Sequence, residues 1–118
     1  MAKAGVELIA GERKRQIEKE GWSSDHDDEH VEGQMAWAAI CYIAPARVYR
    51  KGGFSFFDPW AWDKEWDKRL KYGKKGDDEL PDPKTYAPEQ RLDLLVKAGA
   101  LIAAEIDRLN RLKERQKS

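Results

Sequence analysis

The feature that most constrains this chain is a long apolar stripe set behind a proline. After Pro88, Leu92, Leu95, Val96, Gly99, Ile102, Ile106 and Leu109 recur at short, helix-like spacings. That period puts side chains on one face of an α-helix. Pro88 suits the first helical position, where its missing N–H is no loss. Glu89 follows in the turn where negative charge is favoured. The pattern predicts a helix from about 88 to 113, fraying after Leu112 into a charged tail. Gly99 costs about 1 kcal/mol relative to alanine in an isolated helix. Inside the stripe it predicts a close helix crossing or the tight approach of a ligand.

Two helical patterns precede this one. From about 4 to 20, Val6, Ile9, Ala10, Arg13 and Ile17 make a thin stripe, which needs a partner on one side only. Gly21 supplies the left-handed residue that ends such a helix. Trp22 comes next, where an apolar side chain can fold back on the last turn. A second helix is expected from about 25 to 47, with Ser24 or Asp25 as its N-cap. Asp27, Asp28 and Glu29 bring negative charge to its first turn. Val31, Met35, Ala38, Ala39 and Tyr42 carry its stripe. Its alanines admit a close neighbour, and Pro45 kinks or ends it.

Residues 50 to 87 are too long for an ordinary connection, so the segment is expected to be functional or poorly ordered. Phe54, Phe56, Phe57, Trp60, Trp62 and Trp66 crowd its first half, a content disordered segments lack. A short helix from about Pro59 to Lys71 would set Trp62 and Trp66 one turn apart. Gly73, Gly76, Pro81 and Pro83 mark polar turns. The expected architecture is one all-α domain over residues 1–118. Three main helices form a small bundle, with the aromatic-rich insertion between the second and third. Thin stripes and surplus aromatics leave apolar area that one small protomer covers poorly, so a homo-oligomer is expected.

Composition narrows the function classes. Lysine plus arginine equals aspartate plus glutamate at 22 each, so no global field draws the chain to nucleic acid or to anionic membrane. Cys41 is the single cysteine and sits in an apolar run, which excludes an intramolecular disulfide and favours a buried thiol over a nucleophile. Early charges interrupt any secretory apolar region, and the longest charge-free stretch, Gly33 to Ala46, is too short to span a bilayer. A cytoplasmic protein is expected.

The residues able to carry chemistry concentrate in ERKRQIEKEGWSSDHDDEH, 12 to 30. His26 and His30 share a helix face, a spacing that suits a metal with Asp27 or Glu29 adding oxygen. The chain has no third histidine and no HExxH pattern, so capping or hydrogen bonding to a ligand is the favoured role. A hard cation such as Mg2+ at Asp27, Asp28 or Glu32 is the better metal. Glu12, Arg15 and Gln16 fall within one turn, and Arg15 or Arg13 offers a two-toothed grip for phosphate or carboxylate. The plainer reading is a solvated face with Glu12–Gln16 and Lys14–Glu18 pairs. The loop's Trp60, Trp62 and Trp66 with Phe54, Phe56 and Phe57 offer stacking surfaces for a base, or else core and interface, and Trp22, Trp60 and Trp62 are the aromatic ligand-binding candidates. Lys97 interrupts the last helix and either reaches a phosphate or snorkels to water. Glu105 is the better candidate there for a buried pair. No nucleophile elbow, phosphate loop, dinucleotide fingerprint or zinc knuckle is present, and no catalytic residue is nominated.

The strings IAGERKRQIEKEGW, HDDEHVEGQMAWAA and RLDLLVKAGALIAAEIDRLNRL resemble a group of small phage and prophage proteins. That group is distantly similar to the MazG-like all-α nucleotide pyrophosphohydrolases. The likeness covers residues 8 to 47 and 91 to 112. It implies a helical scaffold for a nucleotide and, in that family, magnesium held by EExxE and ExxD motifs. Here the first motif would fall at 32–38, where Glu32 is the single acid, and the second at Asp93, with lysine at 97. Four converging carboxylates cannot be drawn from those motifs. The resemblance therefore implies a protein in the host cytoplasm that binds a nucleotide or nucleotide-derived signal without catalysis, as a sponge against host antiviral defence. The alternatives are a magnesium-dependent pyrophosphohydrolase using Asp27, Asp28, Glu32 and Asp93, and a module that docks on a host protein.

Overall fold

Helix α4 (Pro88–Lys117) is the spine of the protein, and every other helix packs against it. It belongs to a computed structural model that describes residues 3–73 and 79–117. The helix is present as its periodicity predicts, but it buries the opposite face. Leu94, Ala98, Leu101 and Ala104 are in the core, flanked by Lys97 and Arg108. Leu92, Leu95, Ile102, Ile106 and Leu109, the expected core stripe, remain between 41% and 52% exposed. The reason is steric. Alanines on α4 meet Ala38 and Ala39 of α3 (Gln34–Ile43), and small side chains let two backbones come closer than leucine and isoleucine would. The two charged residues on this face are neutralised within the helix, Lys97 by Asp93 at 2.6 Å and Arg108 by Glu105 at 2.6 Å.

Helix α1 (Gly5–Glu20) has the expected extent and crosses α4 at Gly99. A Cβ on Gly99 would lie 2.5 Å from Ile9 Cδ1, so the glycine marks a close helix crossing. The expected stripe is again displaced: α1 buries Glu12 and Gln16, while Val6 is 77% exposed. Gly21 is left-handed at φ 73°, and the Trp22 N–H donates to the Gln16 carbonyl at 3.1 Å. This turn sends the Trp22 indole back into the core.

The expected single helix from 25 to 47 is two helices. Helix α2 (Ser24–Asp28) is capped by Ser23, whose hydroxyl accepts the His26 N–H at 3.3 Å, one residue earlier than Ser24 or Asp25. The chain then breaks, and α3 starts after Gly33, which is left-handed at φ 79°. Continuing the helix through Gly33 would require a right-handed conformation there, and Val31, drawn on the stripe, stays 67% exposed. Helix α3 ends at Ile43, ahead of Pro45.

The insertion is largely ordered. Strands β1 (Arg50–Gly52) and β2 (Ser55–Phe57) form an antiparallel hairpin with Arg50 opposite Phe57, turning at Gly53 with φ 61°. The helix expected over 59–71 is replaced by two short 3-10 turns, Lys64–Trp66 and Lys68–Tyr72, and a third spans Pro83–Thr85. Asp67 and Asp82 accept backbone N–H groups two residues on, the local bonding that competes with a continuous helix. The turn expected at Gly76 lies outside the described residues.

Buried polar contacts fasten the insertion to the helices. Arg69 is clamped by Asp67 and Asp58 at 2.8 Å each, and Arg47 also reaches Asp58. The Tyr42 hydroxyl accepts the Lys68 N–H at 3.1 Å and donates to the Trp66 carbonyl at 3.4 Å. Tyr72 donates to Asp93 on α4, and Arg91 donates to the last carbonyls of α3, Tyr42, Ile43 and Ala44. The chain is mostly helical with one small sheet, and no described helix is long and apolar enough to cross a membrane.

Candidate functional site

The turn at Gly21 and the short helix α2 place Trp22, His26 and His30 along one wall of a hollow of about 410 Å³. The insertion adds Ala61, Trp62 and Asp63 from the irregular stretch before the first 3-10 turn and Trp66 from that turn, and Glu20 completes the lining. The rings are splayed. Trp22 meets Trp62 at 5.4 Å and 60°, and Trp66 at 6.4 Å and 51°. His26 stacks on Trp22 at 5.6 Å, and His30 meets Trp62 edge-on at 5.3 Å. Trp60 backs Trp62 and bridges to Tyr42 of the core. The Trp62 indole Nε1 is buried without a protein partner.

The imidazoles are oriented from behind. Asp27, fully buried, takes Arg13 on one oxygen at 2.6 Å and His26 Nδ1 on the other at 3.3 Å. That contact makes Nδ1 the donor and sets the ring so that His26 Nε2 lies 3.5 Å from His30 Nε2. Burial, and then the neighbouring His26, hold His30 below the ordinary histidine range, so His30 is neutral near pH 7.

A narrow crevice adjoins the hollow and shares Glu20, Trp22 and Trp66 with it. Its lining adds Glu12, Arg15, Gln16, Lys68 and Lys97. Arg15 grips both oxygens of Glu12 at 2.8 Å and reaches Glu20 at 3.3 Å, while Lys68 holds Glu20 at 3.0 Å. The bond to Glu12 raises the Arg15 pKa further. Burial opposes ionisation of Glu12, but Arg15, Lys97 and Gln16 outweigh it and hold the carboxyl below its ordinary range. Gln16 Oε1 is a second buried polar atom without a protein partner.

The structure thus gathers most of the residues nominated from sequence. Trp22, His26, His30 and Trp62 line the hollow, Trp60 and Asp27 support it, and Glu12, Arg15, Gln16 and Lys97 line the crevice. Asp28 lies apart, tied to Arg111 at 2.8 Å and Arg115 at 2.6 Å on α4, which lower its pKa to about 2. Sequence reading missed Glu20, Ala61, Asp63 and Lys68, whereas Trp66, one turn from Trp62, is among the stacking surfaces the aromatic run predicts. Glu20 carried none beyond its place beside Gly21.

The candidate magnesium ligands do not converge. Asp27 is spent on Arg13, Asp28 on Arg111 and Arg115, and Asp93 on Lys97, Lys71 and Tyr72, while Glu32 is exposed. Among the described residues, no three histidine, cysteine or acidic side chains are placed to hold one ion. Cys41 is buried, and desolvation pushes its thiol up to about 12, the environment of an inert cysteine.

Comparison of the chain with family models, curated proteins and solved structures finds no match.

Proposed function

We propose that the protein binds a nucleotide or nucleotide-derived signalling molecule and does so without catalysis. The ring sits in the aromatic hollow and the phosphates lie along the crevice. One observation carries this reading: the aromatic recess of about 410 Å³ abuts a cation-bearing crevice through shared Glu20, Trp22 and Trp66, and that crevice, about 10 Å³ as it stands, widens to take a phosphate when Glu20 releases Arg15 and Lys68. Aromatic faces contribute about 1–3 kcal/mol per stacked base. Trp62 Nε1 and Gln16 Oε1 offer one donor and one acceptor still to be matched. Phosphates would compete with Glu20 for Arg15 and Lys68. In a phage, such a protein would act as a sponge for a host defence signal. The pyrophosphohydrolase alternative draws no support from the acids, each tied to its own cation or exposed.

Isothermal titration calorimetry against mono-, di-, tri- and cyclic nucleotides tests the reading. Binding is expected for at least one, weakened more than tenfold by Trp62→Ala. Silence across the whole panel would sink it.

We further propose that the protein works as a homo-oligomer built on α4. Its exposed Leu92, Leu95, Ile102, Ile106 and Leu109 fall at seam positions of a three–four repeat, interrupted at Gly99 where α1 crosses. The accessible surface is 7938 Å², whereas a compact monomer of this size exposes roughly 6,600 Å². The excess exceeds the roughly 800 Å² per partner that a standard interface buries. The radius of gyration of 15.4 Å and extents of 49 × 49 × 22 Å describe a plate, where a compact chain would have a radius near 13.5 Å. A second copy laid on α4 supplies the missing layer.

A host-protein module is the second reading. It is favoured by the hairpin, whose strands are exposed throughout and whose Phe54 and Phe56 stand in solvent. Host-lysate capture that is lost in Phe54→Ser/Phe56→Ser supports it, and capture unchanged by that variant counts against it.

A further inference from the structure

We propose that the group seated in the hollow carries a positive charge: a cationic heteroaromatic ring or a quaternary ammonium. This rests on the hollow being the ligand site and goes further, to the electronic character of the ligand.

Three observations bear on it. The first is the shape. A neutral base is best gripped between parallel rings, but here Trp22 stands at 60° to Trp62 and 51° to Trp66. These edge and tilted contacts leave no parallel pair of indoles to sandwich a neutral base, while Trp66, 38% exposed, keeps an indole surface able to attract a cation.

The second is the charge of the lining. Asp63 and Glu20 carry carboxylates, Glu20 shared with Lys68 and Arg15 on the crevice side, and none of the described residues lining the hollow is lysine or arginine. Of the two imidazoles, His30 is held below the ordinary histidine range by burial and adds no charge to oppose an incoming cation. The fixed arginine behind them, Arg13, is cancelled by Asp27 at 2.6 Å.

The third is that the hollow already holds a cation at its rim. Lys68 Nζ lies 6.0 Å from the Trp66 ring centre while it pairs with Glu20 at 3.0 Å. The protein's own ammonium thus adopts, from the crevice side of Trp66 and Glu20, a carboxylate-plus-indole arrangement that a ligand cation would take from the hollow side. A cationic ring on a nucleotide would combine both recesses, its charge in the hollow and its phosphate displacing Glu20 from Lys68.

Matched pairs test this by calorimetry at neutral pH. N1-methyladenosine monophosphate, whose ring is cationic, is compared with adenosine monophosphate. Choline is compared with dimethylbutanol, its neutral isostere. The charged member of each pair is expected to bind about tenfold more tightly, mid-range for a desolvated cation–π contact. Trp66→Ala, at a position 38% exposed, is expected to abolish that preference with the circular dichroism unchanged, and Trp66→Phe to retain it. Equal affinities within both pairs overturn the proposal while leaving a neutral-base site standing. A preference for choline with no nucleotide binding upholds the cation site and removes the nucleotide reading. No binding of any of the four overturns both.

Discussion

Arg13 and Asp27 make a 2.6 Å ion pair in which the carboxylate is wholly buried and the guanidinium is 14% exposed. It ties α1 to α2 and sets the His26 ring through the second carboxylate oxygen. Removing one partner leaves an uncompensated buried charge. Arg13→Ala or Asp27→Ala is therefore expected to cost about 3 kcal/mol or more. Arg13→Met/Asp27→Leu is expected to recover most of it. Urea unfolding midpoints check both, and a single variant as stable as wild type would contradict the pairing.

At the α1–α4 crossing, helix propensity and packing oppose each other. Leucine is a far better helix former than glycine, yet at Gly99 it meets Ile9 atoms at 2.5 and 2.7 Å. Overpacking costs about 1–3 kcal/mol, so Gly99→Leu is expected to destabilise by about 2 kcal/mol in spite of its propensity. Ile9→Ala in the same chain is expected to restore part of the loss. Denaturant titration of the three variants would expose a misplaced crossing, because the double variant would then be the least stable.

Acid is expected to loosen the insertion first. Burial pushes the Asp93 carboxyl up, but bonds from Lys97, Tyr72 and Lys71 outweigh it and bring it to about 2. An unfolded aspartate titrates near 4. The folded value is the lower one, so the contribution is complete above about pH 4 and is lost as pH falls toward 2. Asp28, held at about 2 by Arg111 and Arg115, acts in the same window. Thermal melts of wild type and Asp93→Asn across that range are expected to converge at the acid end. Parallel curves would remove Asp93 as a cause.

The seam on α4 makes a prediction about mass. Light scattering is expected to give at least two copies for wild type and one copy for Ile102→Glu/Ile106→Lys, with unchanged helix content. Both positions are surface-exposed in the single chain, 43% and 52%, so the variant leaves the protomer core intact. A wild-type monomer at high concentration would dismiss the seam.

What the sequence made legible follows from the range of the interactions. Gly21, Trp22, His26 and His30 lie within ten positions, and local capping rules suffice to bring them together. Trp62 and Trp66 reach the same hollow only because Arg69, Asp58, Asp67 and Tyr42 pin the insertion, contacts spread over many positions with no local period. The two faces of α4 show a different limit. Its periodicity marks an apolar stripe correctly, but a stripe facing solvent in one protomer has the same period as one facing its core. The alanines that form the true core face weigh little on any hydropathy count. The break at Gly33 was readable as a left-handed glycine, yet Val31 and Met35 masked it by continuing the stripe.

Trp22 belongs at once to the core cluster and to the wall of the hollow. Occupancy and cooperativity are thereby linked. A molecule resting on that indole leans on a side chain of the same cluster as Met35 and Leu101, and free ligand at a hundred times its dissociation constant adds about 2.7 kcal/mol to the folded state. Conversely, a cavity cut in the interior, far from any ligand atom, would slacken the wall and weaken affinity. Selection on binding would thus act on interior residues that never touch the bound molecule.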